Sequence, residues 1–130
     1  MRQAWLPATP EGAPIARAFV RDAARDLRLD SETTWELMLA TTEAFANAVE
    51  HGSPCDPTGI ELRVKLDDGA RLWVEVVDCG GCFPDVPRTS KPHGHGGRGL
   101  PIITALVDHL EVVPDHGTTR VRFEKQLAPA

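Results

Sequence analysis

Residues 41–54 have the sequence TTEAFANAVEHGSP. The pattern predicts the end of a helix that carries apolar side chains together with two glutamates and an asparagine. Apolar residues recur at three- and four-residue steps from residue 32 to residue 51, which predicts one long amphipathic helix. Asp30 or Ser31 is the predicted N-cap, and Gly52 and Pro54 end the helix. The predicted buried stripe consists of Trp35, Met38, Leu39, Thr42, Ala46 and Val49.

A second, polar stripe borders this apolar one. Glu43, Asn47 and Glu50 fall within an arc of roughly 60° at ~100° per residue, and His51 lies just outside it. An asparagine carbonyl suits Mg²⁺, which takes its other ligands from waters and phosphates. A glutamate one turn earlier could orient or deprotonate a hydroxyl group. Taken alone, however, the helix favours the simpler interpretation of an ordinary solvated face.

The flanking sequence predicts strands and further helices on both sides of this helix. In chain order these are a strand at 2–6, a helix at 14–28 with Ile15, Phe19, Ala23 and Leu27 inside, a hairpin of strands 60–66 and 72–76 turning at 67–69, a helix at 99–109, and a hairpin of strands 110–114 and 118–127. This order predicts an α+β two-layer sandwich, with a mixed, mostly antiparallel sheet and helices on one face. A doubly wound parallel sheet would need a helix after every strand.

Composition narrows the class of protein. The chain of 130 residues suits one domain, over residues 1–130, and its formal net charge of −5 argues against nucleic-acid or membrane-surface binding. The sequence has no apolar run long enough to span a membrane. Three cysteines cannot form a complete disulfide framework, so a reduced, cytoplasmic protein is expected.

Two glycine-rich segments suggest a ligand site. In VVDCGGCF (residues 76–83), Asp78 ends an apolar strand and could accept a hydrogen bond from an exocyclic amine such as that of adenine. In GGRGLPII (residues 96–103), the N–H groups of residues 97–100 precede a helix, where the dipole favours an anion, and Arg98 adds a positive charge. Each segment alone is equally consistent with a turn residue or a plain helix start.

The segment between them contains Cys79, Cys82, His93 and His95, which allow three interpretations. Four such ligands could hold zinc, although one residue between the histidines is fewer than the usual three to five. A redox pair would be expected at a helix start, where the dipole lowers the thiol pKa. The third interpretation, favoured here, is that the cysteines are small residues of a tight loop and the histidines belong to a solvated flap.

Three motifs together resemble the N, G1 and G2 boxes of the GHKL ATPases: EAFANAVEH (43–51), VDCGGCF (77–83) and GGRGLPII (96–103). Within that superfamily, the short chain and the GRGL…DHLEV ending resemble the anti-sigma-factor serine kinases. The resemblance covers residues 10–127 and implies a Bergerat-type ATP-binding fold. It also implies homodimers that bind a sigma factor and phosphorylate a serine of a small anti-anti-sigma (STAS-type) partner.

The resemblance implies a role for each motif residue. Asn47 would coordinate the Mg²⁺ that bridges the ATP phosphates, and Glu43 would be the general base. Asp78 would bind the adenine amino group, with Gly80 making room for the ring. The phosphate end would be shaped by Gly97, Arg98, Gly99 and Leu100, and residues 84–96 would form the ATP lid, from which Arg88, Lys91 or the histidines could reach the phosphates.

One position departs from the G1 pattern D-x-G-x-G, because Cys82 replaces its last glycine. A side chain there could narrow the nucleotide pocket. The alternative function is therefore a non-catalytic module of the same fold that sequesters a partner, with ATP as a structural ligand or a zinc clip at Cys79, Cys82, His93 and His95.

Overall fold

The computed structural model describes residues 1–51, 59–67, 71–78, 99–115 and 118–127. These residues form three helices and five strands. In chain order they are β1 (Arg2–Leu6), α1 (Gly12–Asp26), α2 (Ser31–His51), β2 (Ile60–Asp67), β3 (Arg71–Asp78), α3 (Gly99–Leu106), β4 (His109–Asp115) and β5 (Thr118–Gln126). The element order predicted from the sequence is confirmed.

The five strands form one sheet in the order β1-β2-β3-β5-β4. Each neighbouring pair is antiparallel, so the predicted mostly antiparallel sheet is confirmed, without a parallel pair among the described strands. Strand β4 lies at the edge and β5 returns next to β3. The chain therefore crosses from β3 to the outer strand through α3, and β5 then fills the position between them.

The three helices cover one face of the sheet, as predicted. Alternate side chains of the central strands point toward them and are buried, as expected for a sheet with one face in the core. The buried set on this face consists of Ile60, Leu62, Val64, Leu72, Val74, Val76, Val121 and Phe123. The helices contribute Ala16, Val20 and Ala23 from α1, Leu37, Ala40, Ala44, Phe45 and Ala48 from α2, and Ile103 from α3.

The predicted buried stripe of α2 was wrong in part, because Met38 and Val49 pack against the core but the centre of the stripe does not enter it. Trp35 is 59% exposed and Ala46 is also exposed, whereas Leu37 and Phe45 are almost fully buried. The helix has two apolar stripes about 140° apart at 100° per residue, and periodicity alone does not rank them. The stripe that enters the core contains alanines at positions 40, 44 and 48, whose small side chains let α2 lie close to its neighbours.

The predicted bounds of α1 and α3 also need correction. Helix α1 begins at Gly12, so Pro14 lies within its first turn, and Ile15 is 49% exposed while Ala16 and Val20 are buried. Helix α3 ends at Leu106 instead of His109, because His109 begins β4 and pairs with Glu124. Sheet pairing thus outweighs the helical apolar pattern at residues 107–110.

The start of α2 resolves the choice between two capping residues. The backbone N–H of Thr33 donates to Asp30 Oδ1 at 2.7 Å, and the Thr34 hydroxyl donates to the Asp30 carbonyl at 2.8 Å. Asp30 is therefore the N-cap. The hydrogen bond from the Thr33 backbone, followed by that from the Thr33 side chain, lowers the pKa of the Asp30 carboxyl.

Two glycines allow close approaches near the end of β1. A Cβ at Gly12 would lie 2.5 Å from Phe45 Cζ and 2.6 Å from the Pro7 carbonyl oxygen. Gly59 has a φ of +106°, and a Cβ there would lie 2.5 Å from the Leu6 carbonyl oxygen. Glycine is the residue that tolerates both conditions, so these positions hold α1, α2 and β2 tightly against the end of β1.

Candidate functional site

The direction of α2 over the sheet is set by contacts at both of its ends. Near the start of α2, Glu36 Oε1 lies 2.7 Å from Lys125 Nζ. Lys125 belongs to β5 and is opposite Leu72 of β3. Further along, Phe45 lies against Gly12 and so near Pro7. Pro7 follows Leu6, which pairs with Ile60, and Ile60 pairs with Asp78. Helix α2 therefore runs from the Leu72 end of β3 toward the Asp78 end.

This direction places the polar stripe of α2 at the Asp78 end of the sheet. Glu43 and Asn47 are half-buried, whereas Glu50, one turn further on, is exposed. Polar side chains that are half-buried on successive turns, such as Glu43 and Asn47, are typical of the border of a cleft. Glu43 and Asn47 thus present oxygen atoms toward the rim of the covered face.

Asp78 is the last residue of β3 and is only 6% exposed. Leu72, Val74 and Val76 are buried at alternate positions before it, so Asp78 lies on the same, helix-covered face. It is placed between Ile60 and Thr119 of the neighbouring strands. A carboxylate in such surroundings has a high cost of desolvation, which hydrogen-bond donors offset. It is therefore well suited to fix a donor group of a ligand.

Helix α3 starts at the same end of the molecule. Its last carbonyl, that of Leu106, accepts a hydrogen bond at 2.9 Å from Lys125 Nζ, which anchors its C-terminal end beside Glu36. Gly99, seven residues earlier, lies about 10 Å away along the helix axis. Helix α3 packs against α2. Its free N–H groups and the positive end of its dipole thus lie away from the Leu72 end, on the side where Glu43 and Asn47 are found.

Four parts of the predicted site lie among the described residues, on elements directed toward the Asp78 end of the sheet: Glu43 and Asn47 on α2, Asp78 at the end of β3, and the first turn of α3 with Gly99 and Leu100. The other predicted residues lie outside the described part of the chain. They are Gly80, Gly97, Arg98, the lid at 84–96 with Arg88 and Lys91, and the four residues Cys79, Cys82, His93 and His95.

The donor set at this end fits a magnesium–phosphate complex. Asn47 supplies a hard amide oxygen one turn after the Glu43 carboxylate, and Mg²⁺ in nucleotide sites is held by one or two protein oxygens together with phosphates and waters. Among the described residues, no group of three or more histidine, cysteine or acidic side chains could enclose a metal. A cation at Asn47 would therefore need the oxygens of a ligand.

Lys125 links helices α2 and α3, and the sequence analysis did not identify it. Its ammonium group contacts Glu36 of α2 and the Leu106 carbonyl of α3, and its side chain is 17% exposed. The two partners are separated from it by 89 and 19 positions, so no local pattern links them. The only sequence signal is a lysine at an inward-facing position of β5, where an apolar residue would be expected.

Comparison with known proteins tests the motif-based resemblance. A family profile described as a histidine kinase-like ATPase domain matches residues 6–125. The chain belongs to this family. Among its relatives, the serine-protein kinase RsbW of Bacillus licheniformis is 30% identical over 126 residues, which cover 87% of this chain and 78% of that protein. RsbW of Listeria monocytogenes serovar 1/2a is 28% identical over 140 residues, covering 94% and 87%.

Solved structures of this ATPase family have the same fold. The crystal structure of the RsbU and RsbW domains of Rv1364c from Mycobacterium tuberculosis matches with a TM-score of 0.77 at 24% identity. The match covers 99% of this chain but 33% of that longer one. A histidine kinase domain from Erythrobacter litoralis EL346 matches with a TM-score of 0.58 at 27% identity, over 74% of this chain and 45% of that one. The expected GHKL fold is thus confirmed.

The described residues also include no helix that is long and apolar enough to cross a membrane.

Proposed function

We propose that this chain is an ATP-dependent serine-protein kinase that also acts as a cytoplasmic anti-sigma factor. The observation that most supports the proposal is the buried Asp78 at the end of β3, toward which α2 runs with Glu43 and Asn47. Membership of the histidine kinase-like ATPase family supports ATP as the phosphate donor. Similarity to RsbW serine-protein kinases supports a serine acceptor.

Asp78 is proposed to select the nucleotide. Its buried carboxylate accepts a hydrogen bond from the exocyclic amine of adenine, a group that guanine lacks at the same ring position. Gly80, two residues further along, leaves room for the ring. The phosphates extend from there toward the first turn of α3, where Gly99 and Leu100, together with Gly97 and Arg98, supply N–H groups and a positive charge.

Asn47 and Glu43 are proposed to act on the terminal phosphate and on the acceptor. Mg²⁺, held by the Asn47 carbonyl and the ATP phosphates, would offset phosphate charge during transfer. Glu43 accepts the proton of the acceptor serine as that oxygen forms its bond to the γ-phosphorus. The bond from the γ-phosphorus to the bridging oxygen of ADP breaks in the same transfer, so the proton ends on Glu43 and the negative charge on ADP.

The partners are proposed from the relationship to RsbW kinases and from the motif resemblance. The phosphate acceptor is a serine of a small anti-anti-sigma protein of the STAS type, and the sequestered partner is a sigma factor bound by a homodimer. Neither role requires direct contact with nucleic acid.

The first test is a calorimetric titration of the metal-stripped chain with ATP plus Mg²⁺. We expect saturable binding by the unchanged chain and by Glu43→Ala, and no measurable binding by Asp78→Asn, which presents an amide where adenine needs an acceptor. Glu32→Ala is the matched control, because Glu32 is an exposed glutamate three turns earlier on the same helix. If Asp78→Asn binds ATP as tightly as the unchanged chain, Asp78 does not read adenine.

The second test separates the kinase from the non-catalytic alternative. Transfer of the γ-phosphate to a candidate STAS-type protein should fall by about 10²–10⁴-fold in Glu43→Ala, the range for loss of a general base. ATP affinity should change little. A chain that binds its partner equally well with and without Glu43, and never transfers phosphate, is a sequestering module. Tight one-to-one uptake of zinc without ATP binding would instead support the zinc clip.

A further inference from the structure

The face of the sheet that the helices leave uncovered, here called the open face, carries its own groove. Its volume is about 410 Å³, which lies in the range of small-molecule sites. The groove is lined by four cationic side chains (Arg63, Lys65, Arg120, Arg122) and by two carboxylates (Asp67 and Glu75). Asp78 points to the opposite face, because residues of one strand alternate between faces. The groove is therefore separate from the proposed nucleotide site.

Glu75 is already neutralised by two of the four cations. Its carboxylate lies 3.2 Å from Arg63 Nη1 and 3.8 Å from Arg122 Nε, and these three residues are direct neighbours across β2, β3 and β5. Arg63 also makes a forked pair with Glu61, with both N···O distances at 2.9 Å. Glu75 thus links β2 and β5 across the floor of the groove through its ion pairs with Arg63 and Arg122.

Trp73 fixes the position of Arg122. The guanidinium carbon of Arg122 lies 4.0 Å from the centre of the Trp73 ring, a cation–π contact. Trp73 lines the same groove. The Nε and Nη1 atoms of Arg122 also lie 3.8 Å from Glu75 and 4.0 Å from Glu111, so an acceptor in the groove would share this guanidinium with two carboxylates. The arrangement therefore presents Arg122 to the groove in one orientation.

Lys65 and Arg120 carry charge that the described part of the chain leaves unmatched. Neither forms an ion pair with a described residue, and Lys65 is exposed. The Nε atom of Arg120 is buried and has no hydrogen-bond partner among the described residues. A buried donor without an acceptor is unfavourable, so an incoming oxyanion would supply what this guanidinium lacks. Asp67 offsets only one of the two charges.

We propose that this groove binds a small multivalent anion of the phosphate class. Lys65, Arg120 and Arg122 line it from β2 and β5, and Trp73, opposite Lys65 on β3, forms an apolar part of its wall. Phosphate oxygens match both the forked guanidinium groups and the ammonium group. The whole chain has a net charge of −5, so it does not attract anions over long distances. Binding of the anion therefore depends on direct contacts with the cations of the groove.

The test uses the full-length chain and inorganic pyrophosphate as the probe. The indole N–H signals of the three tryptophans are followed by ¹H–¹⁵N NMR, with the Trp73 signal assigned from Trp73→Phe. We expect a saturable shift of the Trp73 signal, while the signal of Trp35, which lies on α2, stays unchanged. Lys65→Ala and Arg120→Ala should each weaken pyrophosphate binding about tenfold.

Arg71→Ala is the matched control. Arg71 is a cation of the same strand as Trp73, but it is paired with Glu124 at 3.1 Å and does not line the groove. Its loss should change pyrophosphate affinity less than twofold. Equal weakening by Arg71→Ala and Lys65→Ala would show general charge attraction and overturn the proposal. So would the absence of a saturable Trp73 shift.

A titration with ATP separates free phosphates from a nucleotide source. In Asp78→Asn, where the proposed nucleotide site is disabled, an ATP-induced shift of Trp73 that Arg120→Ala removes would support a groove that accepts nucleotide phosphates. A shift with pyrophosphate alone would support a site for free phosphate anions. If Lys65→Ala and Arg120→Ala instead change the oligomeric state and no anion binds, the face is an interface between copies and the proposal fails.

Discussion

The two faces of the sheet are built from the same strands but hold the molecule together differently. On the covered face, Val74 and Phe123 are neighbours in the register, and both are fully buried. On the open face, one position along, Arg63, Glu75 and Arg122 form a row of alternating charge. The covered face stabilises the fold by removing apolar surface from water. The open face stabilises it through ion pairs that remain near water, which contribute less.

This difference shows where a charge is informative. On the covered face a buried carboxylate such as Asp78 is unusual among apolar neighbours, which makes it a candidate for a functional role. On the open face charges are common, and the informative ones are those that remain unmatched, such as Arg120 and Lys65 in the described part of the chain. The same residue type therefore carries different weight on the two faces.

The largest effect is expected from Phe123→Ala on the covered face. The ring is fully buried and its removal leaves a cavity beneath the helices, so the free energy of unfolding should fall by about 3–5 kcal/mol. Urea unfolding at neutral pH measures this loss. Phe123→Leu, which keeps most of the volume, serves where the alanine variant does not fold. A loss below about 1 kcal/mol in both variants would contradict this account of the core.

A matched pair of neighbouring valines compares the two faces directly. Val76 is 1% exposed on the covered face, and Val77 is half-buried on the open face. We expect Val76→Ala to lower the free energy of unfolding by about 2 kcal/mol and Val77→Ala by less than about 1 kcal/mol. Parallel urea titrations of the two variants decide the matter. Equal losses would mean that the open face is covered in solution by another molecule.

The charged row of the open face should contribute less than the core and should do so cooperatively. Arg63→Ala removes the forked partner of Glu61, a residue only 5% exposed, and should lower the free energy of unfolding by about 1–2 kcal/mol. Glu61→Gln combined with Arg63→Ala should cost less than the sum of the single changes. A double-mutant cycle measures the coupling free energy between Glu61 and Arg63. If the losses of the two single variants simply add, the pair contributes no coupling free energy to stability.

The smallest effect is expected at the N-cap of α2, remote from both faces. The pKa of Asp30 is lowered by the Thr33 backbone N–H, so its ionised form stabilises the fold. That stability is present above the unfolded pKa of about 3.9 and is lost as pH falls through the lower, folded pKa. Asp30→Ala should therefore lower the Tm by a few degrees at pH 7, and the difference should disappear in strongly acidic solution. A pH-independent difference would exclude this capping interaction.

Much of this fold could be predicted from periodicity and turn residues. Alternation in β2, β3 and β5 predicted both hairpins, and the glycine-rich segment at residues 96–99 predicted the start of α3. The buried stripe of α2 could not be predicted, because Leu37 and Trp35 belong to two apolar stripes of similar strength. Which stripe is buried depends on how closely α2 can approach the sheet, and that depends on residues distant in sequence, such as Gly12.

The candidate site was predictable in parts. Glu43, Asn47 and Asp78 stand out as polar residues at the end or border of apolar patterns, and the structure places them at one end of the molecule. Their roles remain predictions. The groove on the open face had no sequence signature, because Lys65, Arg120 and Arg122 look like ordinary outward-facing residues until the register brings them together.

The contact of Lys125 with α2 and α3 has a mechanical consequence. It pins both helices at the end of the molecule remote from Asp78, through Glu36 and the Leu106 carbonyl. A helix held at one end can tilt about that end, and a tilt of α3 by about 5° moves its first turn, about 10 Å away, by about 0.9 Å. A small tilt of either helix therefore produces its largest displacement at the free end, which in α3 is the first turn at Gly99.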